Sequence, residues 1–113
     1  MSYQAPVDDI MLALKSAGLE AAFAAGIYDG LDEETMRAVL EQAGAFSAEV
    51  LDPLNRVGDE AGSRLVDGVV VTPPGWKEAY RQFAEAGWSG LPCPEEYGGQ
   101  GLPAIISMAA CEI

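Results

Sequence analysis

Histidine is absent from this 113-residue chain, and Lys and Arg together number six. Without imidazole there is no Ser-His-Asp triad, no Cys-His pair and no histidine metal ligand. Against the six cations stand 18 Asp and Glu, so the formal net charge is 6 − 18 = −12. A surface of that sign repels phosphate, which argues against nucleic-acid partners and against anionic membrane surfaces. Cysteine is scarce too. Cys93 and Cys111 form no CxxC or zinc spacing and are too few for a disulfide framework, so they read as free thiols in a reducing compartment. No apolar run approaches the roughly 20 residues of a membrane helix. The opening Met1-Ser2-Tyr3-Gln4 has no basic, then apolar, signal-peptide pattern. These absences lead us to expect a soluble, cytoplasmic protein.

What is present is a hydrophobic share of 50%, far above the disordered regime despite the charge. The pattern predicts a mainly α-helical chain with one short β-hairpin near residues 64–71. Residues 1–7 read as an extended arm, followed by a helix capped at Asp8 or Asp9, carrying Ile10, Met11 and Leu14, and stopped at Gly18. Leu19 to Ala25 form a second short helix, and Tyr28-Asp29-Gly30 has turn chemistry. From Asp32 the apolar residues Met36, Val39, Leu40, Ala43, Phe46, Val50, Leu51 and Leu54 recur at steps of three and four. This predicts one helix to about residue 55, about 35 Å long, bent or loosened near Pro53. Its wide stripe calls for partner helices.

Val57–Gly62 reads as a loop. Asp67-Gly68 suits a type I′ hairpin turn between Arg64-Leu65-Val66 and Val69-Val70-Val71. Pro73 and Pro74 are expected to open the next helix, whose Trp76, Tyr80, Phe83 and Ala84 share a face, the three aromatics reading as core anchors. Gly87 ends it, and residues 88–102, rich in Gly and Pro, form a long shaped loop. Pro103 starts a last helix that reaches Ile113 with no capping Gly, basic turn or polar tail. We read that ending as a cut within a longer helix.

The segments that suggest chemistry each have a plainer reading. Gly98-Gly99-Gln100-Gly101 before a helix suggests a phosphate loop, but neither the Lys-Ser/Thr nor the GxGxxG spacing is there. The carboxylate pairs Glu33/Glu34, Asp59/Glu60 and Glu95/Glu96 are sequence neighbours that do not face each other on a helix, and read as solvated surface. No calcium-loop spacing occurs, and Cys93 lacks an adjacent base or cation. Composition and spacing thus supply no catalytic, flavin or metal residue.

Three stretches, in order, carry a resemblance. Tyr3-Gln4-Ala5-Pro6-Val7-Asp8-Asp9-Ile10 is similar to the extra N-terminal segment of long acyl-CoA dehydrogenases. Leu51-Asp52-Pro53-Leu54-Asn55-Arg56-Val57-Gly58-Asp59 resembles that family's "PLNRVGD" helix end. Pro94-Glu95-Glu96-Tyr97-Gly98-Gly99-Gln100-Gly101-Leu102-Pro103 resembles its "PeeyGGqGl" loop. The resemblance spans the chain and points to the branch that includes methylmercaptopropionyl-CoA dehydrogenase. It implies a flavoenzyme that α,β-desaturates acyl-CoA thioesters with FAD, passes electrons to an electron-transferring flavoprotein, and works as a homo-oligomer.

On this reading residues 1–30 are the N-terminal extension. Residues 31–113 are the family's N-terminal helical domain, incomplete at its C-terminal end. The family's catalytic glutamate and main flavin contacts fall beyond Ile113, so the segment alone is expected to be inactive and to bind no FAD. Tyr97, Gly98, Gly99 and Gly101 match the loop motif and are assigned a structural role. The competing reading is a stand-alone acidic helical interaction module.

Overall fold

The computed structural model describes residues 2–113. Six α-helices and one hairpin follow in the order α1 (Val7–Ser16), α2 (Leu19–Ala24), α3 (Glu33–Phe46), α4 (Asp52–Ala61), β1 (Arg64–Val66), β2 (Val69–Val71), α5 (Trp76–Glu85) and α6 (Ala104–Glu112). A π-helical turn, Ser47–Leu51, joins α3 to α4, and 3₁₀ turns occupy 88–90 and 95–97.

The first helix begins earlier than its carboxylates suggest. Pro6 occupies the N-cap, and Asp8 and Asp9 lie in the first turn instead of capping it. There they meet the positive end of the helix dipole, and Asp8 accepts a 2.6 Å hydrogen bond from Arg37. Gly18 at φ 103° reverses the chain into α2, a backbone setting that other residues seldom adopt. Asp32 caps α3 as expected, accepting the Thr35 N–H at 2.7 Å.

The long helical path departs from the single helix expected to end near residue 55. It runs on to Ala61, so Val57–Gly62 is helical rather than a loop until Gly62. Pro53 is the physical reason for its three parts. A proline inside a regular α-helix removes a donor and crowds the preceding carbonyl. Here the Asp52 N–H donates to the Ser47 carbonyl five residues back, and the widened turn places Pro53 at the start of α4. A missing N–H is tolerated in a first helical turn.

Asp67 (φ 49°) and Gly68 (φ 78°) make the hairpin turn, with Arg64 opposite Val71, Leu65 opposite Val70 and Val66 opposite Val69. Pro73 and Pro74 do not open α5. They lead into a turn, and Gly75 at φ 85° caps the helix. Prolines end the strand without supplying the helix start, because the chain must first change direction through a left-handed residue.

One core joins the N-terminal helices to α3 and α6. Met11, Leu19, Met36, Leu40, Ile106 and Ala109 are buried together, flanked by Ile10, Phe23, Val39 and Ile105. Residues 1–30 thus contribute Met11 and Leu19 to the same core as the remainder. A second packing zone gathers Phe46, Phe83 and Trp88, with ring centroids 6.1 and 6.4 Å from Phe46. The radius of gyration is 16.9 Å, against about 13 Å for a compact domain of this length. Extents of 56 × 37 × 18 Å describe a flat slab. A slab this thin cannot cover all its apolar side chains.

Candidate functional site

An open apolar groove lies where the π-helical turn, α4 and α5 meet. Leu51, Leu54, Trp76, Ala79, Tyr80 and Phe83 line an open groove of about 510 Å³, with Tyr3, Asp52 and Ile113 along one side. The core reading holds for Phe83, half-buried against Phe46, and is corrected for Trp76 and Tyr80. Trp76 is 44% and Tyr80 72% exposed, and it is Ala79 that is buried. Helical spacing did put Trp76, Tyr80 and Phe83 on one face; that face is covered at Phe83 and left largely open at Trp76 and Tyr80.

Polar order in the groove comes from the N-terminal arm. The Tyr3 N–H donates to Asp52 Oδ2 at 2.9 Å, and the Tyr3 hydroxyl donates to the Ile113 carbonyl at 3.0 Å. The arm therefore ties the start of α4 to the end of α6. Further along, a Cβ added to Gly44 would lie 2.7 Å from the Ala5 Cβ, so the arm lies close against α3. Sequence reasoning missed Tyr3 and Asp52 as partners, since nothing local marks a contact between residues 49 positions apart. The Asp-Pro pair at 52–53 is the one visible hint that the helix is interrupted there.

The loop residues matched to the family motif sit apart from the groove lining. Tyr97 is 81% exposed, Gly98 takes φ 83°, and Gly101 takes φ 63°. At Gly99 a Cβ would fall 2.0 Å from the Cys93 carbonyl oxygen, so only a bare backbone fits. Their amides are already used. Gly98 donates to Glu95, Gly99 to Pro94, Gln100 to Gly90 and Gly101 to Cys93, at 2.8–3.1 Å. A loop whose N–H groups are committed to its own carbonyls has none to offer a phosphate, which agrees with the missing phosphate-loop signature.

Among the described residues, the remaining thiols and carboxylate pairs lie on the surface. Cys93 and Cys111 are exposed free thiols, and Asp59, Glu60, Glu95 and Glu96 are exposed as well. Among the described residues there is no cluster of three or more potential metal ligands. No described helix is long and apolar enough to cross a membrane. Arg81 bridges Glu78 and Glu85 at 2.6 and 2.7 Å on the outer face of α5. The hydrogen bonds from Arg81 hold the Glu78 carboxyl down at about 2 and raise the guanidinium above its usual range. These shifts belong to a surface ion pair.

The profile of the acyl-CoA dehydrogenase N-terminal domain matches residues 33–113. The chain belongs to the acyl-CoA dehydrogenase family. It is 44% identical, over its full length, to a 3-methylmercaptopropionyl-CoA dehydrogenase of Ruegeria pomeroyi. The chain spans 19% of that relative's length. Members of the acyl-CoA dehydrogenase family generally use FAD. A flavin dinucleotide carries a pyrophosphate, which calls for cations or free backbone amides. The groove lining holds no Lys or Arg, and its acidic side chain is Asp52. The residues lining this groove do not fit the cofactor.

Proposed function

We propose that this chain is the N-terminal helical domain of an FAD-dependent oxidoreductase that α,β-desaturates acyl-CoA thioesters. Residues 1–30 serve as its N-terminal extension and residues 31–113 as the family domain proper. Within the intact enzyme, acyl-CoA is the substrate, an electron-transferring flavoprotein takes the electrons, and the location is cytoplasmic. The observation that carries the reading is the agreement between the family match over 33–113 and a slab with a bare aromatic groove.

The domain contributes shape, not chemistry. No described residue is assigned to proton or hydride transfer, and the flavin and catalytic base are supplied by the remaining parts of the enzyme. The groove is the face those parts cover. Tyr97, Gly98, Gly99 and Gly101 act structurally, folding the loop beneath α6. A second reading, an acidic helical interaction module working alone, draws on the same exposed Trp76 and Tyr80.

The test is direct. The purified 113-residue chain is assayed for flavin absorbance and for acyl-CoA-dependent reduction of an artificial electron acceptor. Neither signal is expected. Stoichiometric flavin on this chain would overturn the assignment of a non-catalytic domain.

A further inference from the structure

The groove between α4 and α5 prolongs a row of side chains that α6 covers further back. On α3 the row runs through Met36, Leu40 and Ala43, all buried. It continues through Ser47, Leu51 and Leu54, which line the groove. On α6 the inward row is Ile106, Ala109, Ala110 and Ile113. Ile106 and Ala109 share the buried core with Met36 and Leu40, whereas Ile113 lines the groove with Leu51 and Asp52. The two helices therefore advance side by side in the same direction, and α6 reaches the open part of the row at Ile113.

Tyr3 fixes this alignment, because one residue bonds both Asp52 at the start of α4 and the Ile113 carbonyl. A carbonyl oxygen has two lone pairs, so that of Ile113 can still accept the N–H of a following helical turn.

We propose that the groove seats the polypeptide directly following position 113 in the intact enzyme, as a continuation of α6 by about two turns. The inference rests on the reading of this chain as the N-terminal domain of a longer enzyme, the relative being matched over 19% of its length. At helical spacing the third, fourth and seventh residues after Ile113 fall on the inward row and meet Leu51 and Leu54. Trp76 and Tyr80, 44% and 72% exposed, form the facing wall. Two turns rise about 11 Å, comparable to the helical path from Ser47 to Leu54.

Chemistry and charge favour this occupant. Of the lining side chains only Asp52 is charged, and it is engaged by the Tyr3 N–H, so the groove suits an apolar helix face. A second copy would bring its own −12 to the approach. A segment attached at Ile113 needs no encounter, since a short tether supplies an effective concentration in the millimolar range.

Photo-cross-linking tests it, in a chimera of this chain with the remainder of the Ruegeria pomeroyi relative. Tyr80 is replaced by p-benzoylphenylalanine, and mass spectrometry identifies the peptide linked on irradiation. We expect an intrachain link to the first two turns after position 113. A link to a later segment, a link to another subunit, or no link overturns the proposal. Flavin absorbance of the same sample reports on the enzyme assignment separately. A flavin-bearing chimera linked elsewhere sinks this inference alone, and a colourless one linked as expected sinks that assignment alone.

A second measurement does not depend on the chimera. This chain is extended by the about twelve residues, roughly three turns, that follow the aligned stretch of the relative. Its tryptophan emission is expected to shift to the blue of the unextended chain, and Trp76→Phe is expected to abolish the shift. An extension that leaves the emission unchanged, or a shift that survives Trp76→Phe, would contradict the proposal.

Discussion

The indole of Trp76 lies on the bare backbone of Gly58: a Cβ there would sit 2.7 Å from Cζ2 and 3.1 Å from Nε1. This contact joins the first turn of α5 to the middle of α4 and forms part of the groove wall. Gly58 belongs to the segment matched to the "PLNRVGD" motif, so the motif glycine has a packing reason. Gly58→Ala would gain about 1 kcal/mol of helix propensity. Crowding the ring works against it by about 1–3 kcal/mol, at the lower end where the neighbour can yield. Trp76 is half-exposed and can yield.

We therefore expect Gly58→Ala to change unfolding stability by no more than about 1 kcal/mol, while Trp76 swings outward. Tryptophan fluorescence reads the move as a red shift. An unshifted spectrum would mean that the indole does not rest on Gly58.

The loop glycines should rank by what surrounds them. Gly99→Ala meets a backbone carbonyl that cannot give way, and a loss of about 3 kcal/mol is expected in urea unfolding. Gly98→Ala has open space but a positive φ, and about 1 kcal/mol is expected. Tyr97→Ala, at an exposed position, should stay within about 0.5 kcal/mol. Equal losses at Gly98 and Gly99 would contradict this structure of the loop.

The two packing zones should also separate. Leu40 is fully buried, and Leu40→Ala is expected to cost about 2–5 kcal/mol. Tyr80→Ala, on the open groove, should cost less than about 1 kcal/mol in the isolated chain. Thermal or urea unfolding distinguishes a buried α3 stripe from an uncovered α5 face.

Low pH should act on α5. The folded Glu78 carboxyl is depressed from 4.5 to about 2 by hydrogen bonds from Arg81 and Gln82. A depressed carboxylate contributes stability that is present above 4.5 and lost as the pH falls toward 2. The pair is solvent-exposed, so the effect is local and weakened by salt. An NMR titration of the Glu78 carboxyl follows it, and Arg81→Gln should return the midpoint toward 4.5.

Much of this was legible in the residues. The Asp32 cap, the Asp67-Gly68 turn and the Gly18 reversal each rest on local backbone chemistry, which sequence reports well. The α1 cap and the extent of the 33–61 helix were not. In the first case Pro6 set the start before Asp8 could, and in the second a π-helical turn absorbed Pro53. The groove was the hardest to see. Periodicity shows that Trp76, Tyr80 and Phe83 share a face, but not whether another layer covers it. The Tyr3 bond to Asp52 depends on tertiary placement alone.

The most direct test of the account is a chimera in which this chain replaces the aligned fifth of the Ruegeria pomeroyi relative. Flavin absorbance and acyl-CoA-dependent electron transfer are then measured on the purified protein. The account predicts that the chimera binds flavin and turns over acyl-CoA, while the isolated chain does neither. A folded chimera that is colourless and inactive, or an isolated chain that binds flavin itself, would contradict it.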